Sequence, residues 1–435
     1  MANGQQPREA LGFKELVAMG VGGMIGGGIF SVLGLSMSEA GHAAPLAFLL
    51  GGMVALLTGL SYARLGLHYR SAGGSFTYIE KAFASHRLAA LTGWLLLVGY
   101  VGTMALYSYT FGAYGSALLG GGQENPLMRH LLESVVLLSF LGINLWGVKA
   151  SGHTEDLIVF IKVVILALFA IIGLYTLDVS RLEPLFNQGW VGVVLGAALI
   201  FVAYEGFELI PNAINDMEDP ERDLGRSIMV AILITATVYV LVSLVAVGNL
   251  TPEQIHKYGE YALAVAAQPF LGQAGFVLIG VAALFSTASA INATLFGTAR
   301  LSHVMARQKD LPQAFSLKSR RNVPWAALLI ITLVTLAFVN LANLDVIAAF
   351  ASSTFLLLFA AVNGAALRLH RKIGLLWLWP LLGLIAALAA WVALMDYLYR
   401  HNPDTLKWVL VFYGAVSVVE WLFSARGWLH RRKSA

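Results

Sequence analysis

The 435 residues are 58% hydrophobic and only 12% charged, with a net charge of +4 and no cysteine. A soluble domain carries about a quarter charged residues, so the composition excludes a string of ordinary water-soluble domains; the missing cysteines exclude disulfides, thiol chemistry and Cys-ligated metals. A mean hydropathy of +0.75 and a pI near 9.1 reflect long apolar runs separated by short basic turns, a pattern that sets membrane topology and does not call for a nucleic-acid partner.

The first ten residues, MANGQQPREA, are polar and lack the apolar stretch of a cleavable signal, so insertion is expected to rest on the first span itself. A helix needs about 20 apolar residues to cross the hydrocarbon. Twelve stretches meet that need, at approximately 14–36, 43–66, 89–119, 130–148, 154–176, 189–214, 227–249, 270–305, 324–342, 345–368, 374–397 and 406–425. The third and eighth are long enough to tilt or to project beyond the lipid. An even number puts both termini on one side. That side holds 22 of the 28 Lys and Arg, from Arg8 to Lys433. The other holds five (Arg129, Arg181, Lys257, Arg400 and Lys407), and Lys162 lies within a span. The asymmetry predicts both termini in the cytoplasm.

Span one reads GFKELVAMGVGGMIGGGIFSVLG, with Gly22, Gly23, Gly26, Gly27 and Gly28 within seven residues. Glycine costs about 1 kcal/mol per helical position relative to Ala. Gly26-Gly27-Gly28 therefore predicts an unwinding at mid-membrane and a half-helix restarting near Ile29. Backbone unwound at that depth must line a cavity or be buried in protein. The new N-terminus suits a carboxylate. The same glycines, at the four-residue spacings Gly22/Gly26 and Gly23/Gly27, suit close helix packing equally well. On span three, Tyr100, Thr103 and Tyr107 are candidates to line a pocket, with core packing the plainer reading. Span five, LIVFIKVVILALFAIIGLY, carries a single charge, Lys162. An ionisable residue inside a span points to function by default. Snorkelling is the alternative, because Lys162 lies about six residues, ~9 Å, from the inner end.

Span six reads VVLGAALIFVAYEGFELIPNAIND, where Glu205 and Glu208 flank Gly206 and Pro211 follows. A carboxylate inside a span costs at least ~2.5 kcal/mol and usually faces a cavity or a partner. The pattern predicts a second break; an ordinary helix with its acids facing water near one end is the alternative. Breaks in spans one and six occupy corresponding positions in two five-helix halves, spans 1–5 and 6–10, which is the arrangement of inverted-repeat transporters. The segment 250–269, LTPEQIHKYGEYALAVAAQP, is amphipathic and predicts an interfacial helix. On span eight, Phe296 is a further lining candidate and Asn292 a buried hydrogen-bonding residue. His42, His68 and His153 lack metal-ligand spacing, so neither a metal nor a cofactor is expected. No nucleophile elbow, P-loop or dinucleotide fingerprint is present, and the glycines of span one follow no strand, so no enzyme is expected.

Taken together, these motifs resemble those of the amino acid–polyamine–organocation (APC) superfamily, over nearly the whole chain. The resemblance rests on Gly22-Gly23-Met24-Ile25-Gly26-Gly27-Gly28-Ile29-Phe30 in span one, Ser61-Tyr62-Ala63-Arg64-Leu65 and Ala72-Gly73-Gly74-Ser75-Phe76-Thr77-Tyr78 after span two, and Phe201-Val202-Ala203-Tyr204-Glu205-Gly206-Phe207-Glu208 in span six. Span eight adds Phe285-Ser286-Thr287-Ala288-Ser289-Ala290-Ile291-Asn292-Ala293-Thr294, followed by Arg300 and Leu311-Pro312. Within the superfamily the chain is most similar to the ApcT-type proton-coupled amino acid transporters. It departs from the family pattern at Arg70, at Asp219-Pro220 with Gly225, and at Glu205, where an apolar residue is expected.

The resemblance implies an all-α integral membrane protein with 12 transmembrane helices, a LeuT-type 5+5 inverted repeat with broken helices one and six. It implies one transmembrane domain over 1–425 (repeat one about 14–176, repeat two about 189–368, helices eleven and twelve about 374–425) and a short cytoplasmic tail, 426–435. By the same resemblance, the amides of Gly26, Gly27 and Gly28 would hold a substrate carboxylate, and the carbonyls of Ile25, Val202 and Glu205 would accept from its amino group. Tyr204 would lie over the substrate, and Glu208 would couple gating to protonation. Lys162 would replace the sodium of relatives as a proton site, near the carbonyls of Val21 and Gly22 and the hydroxyls of Ser286 and Ser289. The expected function is secondary active transport of amino acids by alternating access, with proton-coupled uptake and broad specificity. The partners would be an amino acid, a proton and the bilayer of the cell's inner membrane. A cationic amino acid or polyamine carrier or exchanger is the rival, with a transport-like sensor or a channel more remote.

Overall fold

The computed structural model describes residues 11–71, 73–146, 152–307, 309–319 and 323–433, and the side chains of all of these except 152–156, 419 and 422–433. Ala72, Arg8, Lys149, Arg320 and Arg321 therefore lie outside the described residues, as do the side chains of His153 and of the tail.

Sixteen α-helices follow one another among the described residues: α1 Phe13–Met24, α2 Gly28–Ala40, α3 Ala44–Tyr69, α4 Gly74–Phe83, α5 His86–Leu119, α6 Pro126–Trp146, α7 Gly152–Tyr175, α8 Gly189–Leu199, α9 Pro220–Asn249, α10 Pro252–Tyr258, α11 Ala262–Ala266, α12 Gln268–Arg307, α13 Trp325–Leu341, α14 Leu344–Leu369, α15 Leu378–His401 and α16 Pro403–Lys433. Two 3-10 segments, Phe201–Tyr204 and Phe207–Asp216, continue α8. Local chemistry sets many of the starts. Ser85 caps α5 by accepting from the Leu88 amide, and Asp219 caps α9 with Pro220 in its first turn. Thr251 and Gln254 close a capping box on α10.

Every apolar stretch of the sequence falls on a helix or a broken helix pair. Among the described residues, eight helical runs, α2 and α3 counted together as Gly28–Tyr69, are long and apolar enough to cross a membrane, and nine if the pair Gly189–Leu199 and Phe201–Asp216, bent by 50°, counts as one span. α5 and α14 lie at the centre of the bundle, with 78% of their apolar windows buried; α6 and α15 lie at its rim, with 22% buried. The rim exposes Leu131, Val135 and Leu138 on α6, and Leu157, Phe160, Ile161, Leu168 and Ile171 on α7. Water-soluble monomers do not show apolar surface on that scale. The chain is an all-helical, multi-pass integral membrane protein.

The segment 250–269 departs from expectation. Its second half, α11, is buried at every residue and packs on α2, α9 and α12. The run Ala-Leu-Ala-Val-Ala has side chains small enough to seat against other helices, so it docks into protein instead of lying on lipid. Phe296 is 43% exposed, with the Arg300 guanidinium 5.5 Å from its ring centroid.

Candidate functional site

Span one breaks where its glycines stand. Residues 25–27 form a turn between α1 and α2, and α2 starts at Gly28, one residue before the expected Ile29. Span six breaks at Glu205 and Gly206, between its two 3-10 segments. The two breaks touch backbone to backbone. Gly206 has φ +123°, a conformation that residues with a Cβ rarely adopt. A Cβ there would stand 2.5 Å from the Gly23 carbonyl carbon, and one on Gly28 would stand 2.6 Å from Ala203 Cα. Close packing and chain break, alternatives in the sequence, therefore occur together.

A helix end leaves carbonyls without helical partners, and at α1 side chains from three other helices supply the donors. Lys162 Nζ of α7 donates to Gly22 O at 2.9 Å. Tyr239 Oη of α9 lies 2.6 Å from Met24 O and 3.1 Å from Ala203 O, so one phenol bridges both breaks. Ser286 Oγ of α12 donates to Ile25 O at 2.7 Å and also contacts Gly26 O. Val21 O accepts from the Ile25 amide at 2.8 Å. Lys162 is 3% exposed and turned into the bundle, so snorkelling does not describe it. A cation at a helix C-terminus also meets the negative end of the helix dipole. Ser289, three residues beyond Ser286, is half-buried on α12.

At the second break, the Val202 amide donates to Ser352 Oγ of α14 at 3.1 Å, and Val202 O accepts from the Glu205 amide at 3.2 Å. Glu205 is buried, with Oε2 hydrogen-bonded to Thr103 Oγ1 of α5 at 2.5 Å. Glu208 Oε2 accepts from the Gly206 amide at 2.8 Å, while its buried Oε1 has no hydrogen-bond partner among the described residues. Tyr204 Oη donates to Phe48 O at 2.5 Å, and its ring lies on Gly51 and Gly52 of α3 and against Tyr239. The ring over the turn at 25–27 belongs to Tyr107, which closes on Gly26 and Gly27 beside Thr287 and Ala290. Tyr100 packs on Phe355, and Asn292 pairs with Asn144 at 2.8 Å.

Tyr239 and Ser352, which the sequence does not single out, define the site as much as Tyr107 and the other residues that it does. Tyr239→Phe keeps the ring and removes the one O–H serving Met24 O. An orphaned buried acceptor costs about 1–3 kcal/mol, so the variant is expected to unfold at a lower temperature in detergent. An unchanged Tm would show that the bridge carries no load.

At one end of the bundle, a cavity of about 540 Å³ is bordered by Gly34, Ser38, Glu124, Arg129, Glu260 and Asp345. Arg129 Nη1 donates to Glu124 at 2.8 Å, to Tyr109 Oη at 2.8 Å and to Glu260 at 3.3 Å. Burial and the adjacent Glu260 push the Glu124 carboxyl up from 4.5 to about 8, against the pull of Arg129. The folded chain thus binds a proton that the unfolded chain has released. This contribution to stability is full below about pH 4.5 and is lost as pH rises through about 8. Glu124→Gln is expected to flatten the fall in Tm across that window, measured by thermal unfolding at several pH values. A variant that keeps the wild-type slope would remove Glu124 as its source.

Among the described residues, no group of three or more His, Asp or Glu is arranged to hold a metal.

A family model described as "Amino acid permease" matches residues 11–419. An uncharacterized protein of Methanocaldococcus jannaschii is 34% identical over 412 residues, covering 94% of this chain and 92% of its own. The inner membrane transport protein YbaT of Escherichia coli is 30% identical over 410 residues, covering 94% of each. The serine/threonine exchanger SteT of Bacillus subtilis is 27% identical over 332 residues, covering 74% of each. With two broken helices meeting at their breaks, and a family match along nearly the whole sequence, this chain belongs to the amino acid permeases of the APC superfamily.

Proposed function

We propose that the chain is a secondary active transporter of amino acids, working by alternating access and coupled to protons. The observation that carries this reading is the meeting of the two breaks. The N-terminus of α2 and the carbonyl-rich end of α1 lie on the same few residues, next to the break of span six. An amino acid carries a carboxylate and an ammonium a few ångströms apart, and opposed helix ends suit that pair of charges. In this reading the amides of Gly26, Gly27 and Gly28 take the carboxylate. The carbonyls of Ile25, Val202 and Glu205 take the ammonium, since a carbonyl oxygen has a second lone pair beyond its present donor. Tyr107 must swing aside to admit substrate.

Lys162 is the proposed coupling group. Its ammonium on Gly22 O stands where a metal cation would satisfy the same carbonyl, and loss of its proton would free the end of α1. By the family resemblance Val21, Ser286 and Ser289 would complete that neighbourhood, and Glu208 would report its own proton state to the second break through the Gly206 amide. Twelve spans with both termini cytoplasmic, a 5+5 inverted repeat and an inner-membrane location belong to the same reading. The name of YbaT as an inner membrane transport protein supports it, and that of SteT as a serine/threonine exchanger supports an amino acid substrate and leaves exchange as the second mode. The test is purified protein in liposomes given an inward proton gradient, with and without sodium, and a panel of alanine, serine, glutamine, lysine and putrescine. Accumulation driven by the proton gradient alone is expected. Accumulation only with sodium, or only against internal substrate, would reject proton symport, and no uptake of any panel member would reject amino acid transport.

A further inference from the structure

We propose that Glu205 is a second proton-binding group of this chain, protonated while the two breaks are closed on each other. The residue is the unwound point of span six, with extended backbone (φ −64°, ψ 144°), and its side chain is 4% exposed. The groups facing it are neutral or acidic: Thr103, Tyr100 and Tyr107 from α5, and Glu208 from its own segment, which Tyr62 of α3 also approaches; Tyr239 of α9 stands two residues away, on Ala203 O. Lys162 of α7 stands across the Gly23–Gly206 contact, on Gly22 O. Among the described residues, neither Glu205 nor Glu208 forms an ion pair. A bare carboxylate taken from water into such a setting loses its hydration without gaining a counter-charge, which favours the protonated form.

The hydrogen count at Thr103 leads to the same assignment. Its hydroxyl has one hydrogen and two oxygen neighbours, Gly99 O at 3.1 Å and Glu205 Oε2 at 2.5 Å. A helical threonine commonly donates to the carbonyl one turn back. With that hydrogen directed at Glu205 Oε2, the hydroxyl donates to the carboxyl and Gly99 O loses its side-chain donor; a protonated Glu205, donating to Thr103 Oγ1, keeps both contacts. The closed contacts of Gly23 with Gly206, and of Tyr107 with Gly26 and Gly27, bring backbone and ring to the break where a cationic ligand would have to sit. As the breaks close, Glu205 takes one proton from hydronium in the surrounding water: one carboxyl O–H bond forms and one hydronium O–H bond breaks. As they open, the carboxyl O–H bond breaks and the proton returns to water as hydronium.

The test is infrared spectroscopy of substrate-free protein in lipid at neutral pH, comparing wild type, Glu205→Gln and Glu208→Gln. A protonated-carboxyl band lost in Glu205→Gln and kept in Glu208→Gln is expected. A wild-type-minus-Glu205→Gln spectrum containing only carboxylate bands would overturn the proposal, as would a band lost only in Glu208→Gln. If Glu205→Gln does not fold, Thr103→Val serves: the band must shift when its partner hydroxyl is gone, and an unmoved band overturns the proposal. The inference uses the transport reading only for its place in a cycle. The band is read without substrate, so its absence leaves amino acid transport standing, and failed uptake leaves the proton assignment standing.

Discussion

Gly206→Ala is expected to abolish uptake while leaving a membrane-inserted protein. Two costs combine at this position. The φ of +123° strains any residue with a Cβ, by about 1–3 kcal/mol. The new methyl would also lie 2.5 Å from the Gly23 carbonyl carbon and 2.7 Å from the Met24 amide nitrogen. Those neighbours are backbone and cannot rotate away. Relief requires the two breaks to part, which separates the elements proposed to hold the two ends of the substrate. At about 1.36 kcal/mol per tenfold in rate, the strain alone predicts a loss of roughly ten- to a hundredfold. Initial uptake rates into liposomes measure it. Gly225→Ala is the control, since a Cβ there meets only Ala63 at 3.7 Å within α9. Wild-type uptake by Gly206→Ala would show that contact between the breaks is dispensable.

Lys162→Met is expected to uncouple the protein. Methionine nearly preserves the length of the stem and removes both the charge and the donor to Gly22 O. That carbonyl is left buried without this donor, at about 1–3 kcal/mol, so some thermal stability is lost as well. The distinctive result concerns transport. Accumulation above the external concentration, driven by an inward proton gradient, should vanish, whereas downhill exchange of labelled for unlabelled substrate should persist. If Lys162→Met still accumulates substrate in response to the gradient, Lys162 is only a cap on the end of α1. If both activities disappear while the protein stays folded, the residue is needed to shape the site and not to couple it.

Both breaks were legible because their signals are local. Gly26-Gly27-Gly28 cannot hold a helix cheaply, and Glu205-Gly206 puts a charge beside the most permissive residue in the chain. Lys162 was legible as a charge without an aqueous reason to be there. Its partner, Gly22, came only from the family resemblance, since spacing along the sequence does not reveal a contact 140 residues away. Tyr239 and Ser352 were not legible at all. A tyrosine and a serine in apolar helices resemble many others, and their role depends on carbonyls and amides freed 150 to 215 residues earlier. The contacts of Tyr204 on α3 were not legible for a different reason. In a 3-10 segment residues three apart eclipse, so the four residues Phe201–Tyr204 aim their side chains differently from an α-helix, and Tyr204 turns onto α3. The docked half of 250–269 misled because a small apolar face fits lipid and protein alike, and only the neighbours decide.

The chain start carries one more implication. The Leu11 amide donates to Asp216 O at 2.7 Å, and the Glu218 amide donates to Leu11 O at 3.0 Å. This short pairing straps the segment just before α1 to the stretch just after Phe207–Asp216, well away from the breaks. α1 and that 3-10 segment are therefore joined at both ends: by the strap at one, by the Gly23–Gly206 contact at the other. Two rods fixed together at both ends make a single lever. Tilting one without the other would have to break two backbone hydrogen bonds, about 0.5–1.5 kcal/mol each. A tilt of α1 would therefore carry Phe207–Asp216 with it.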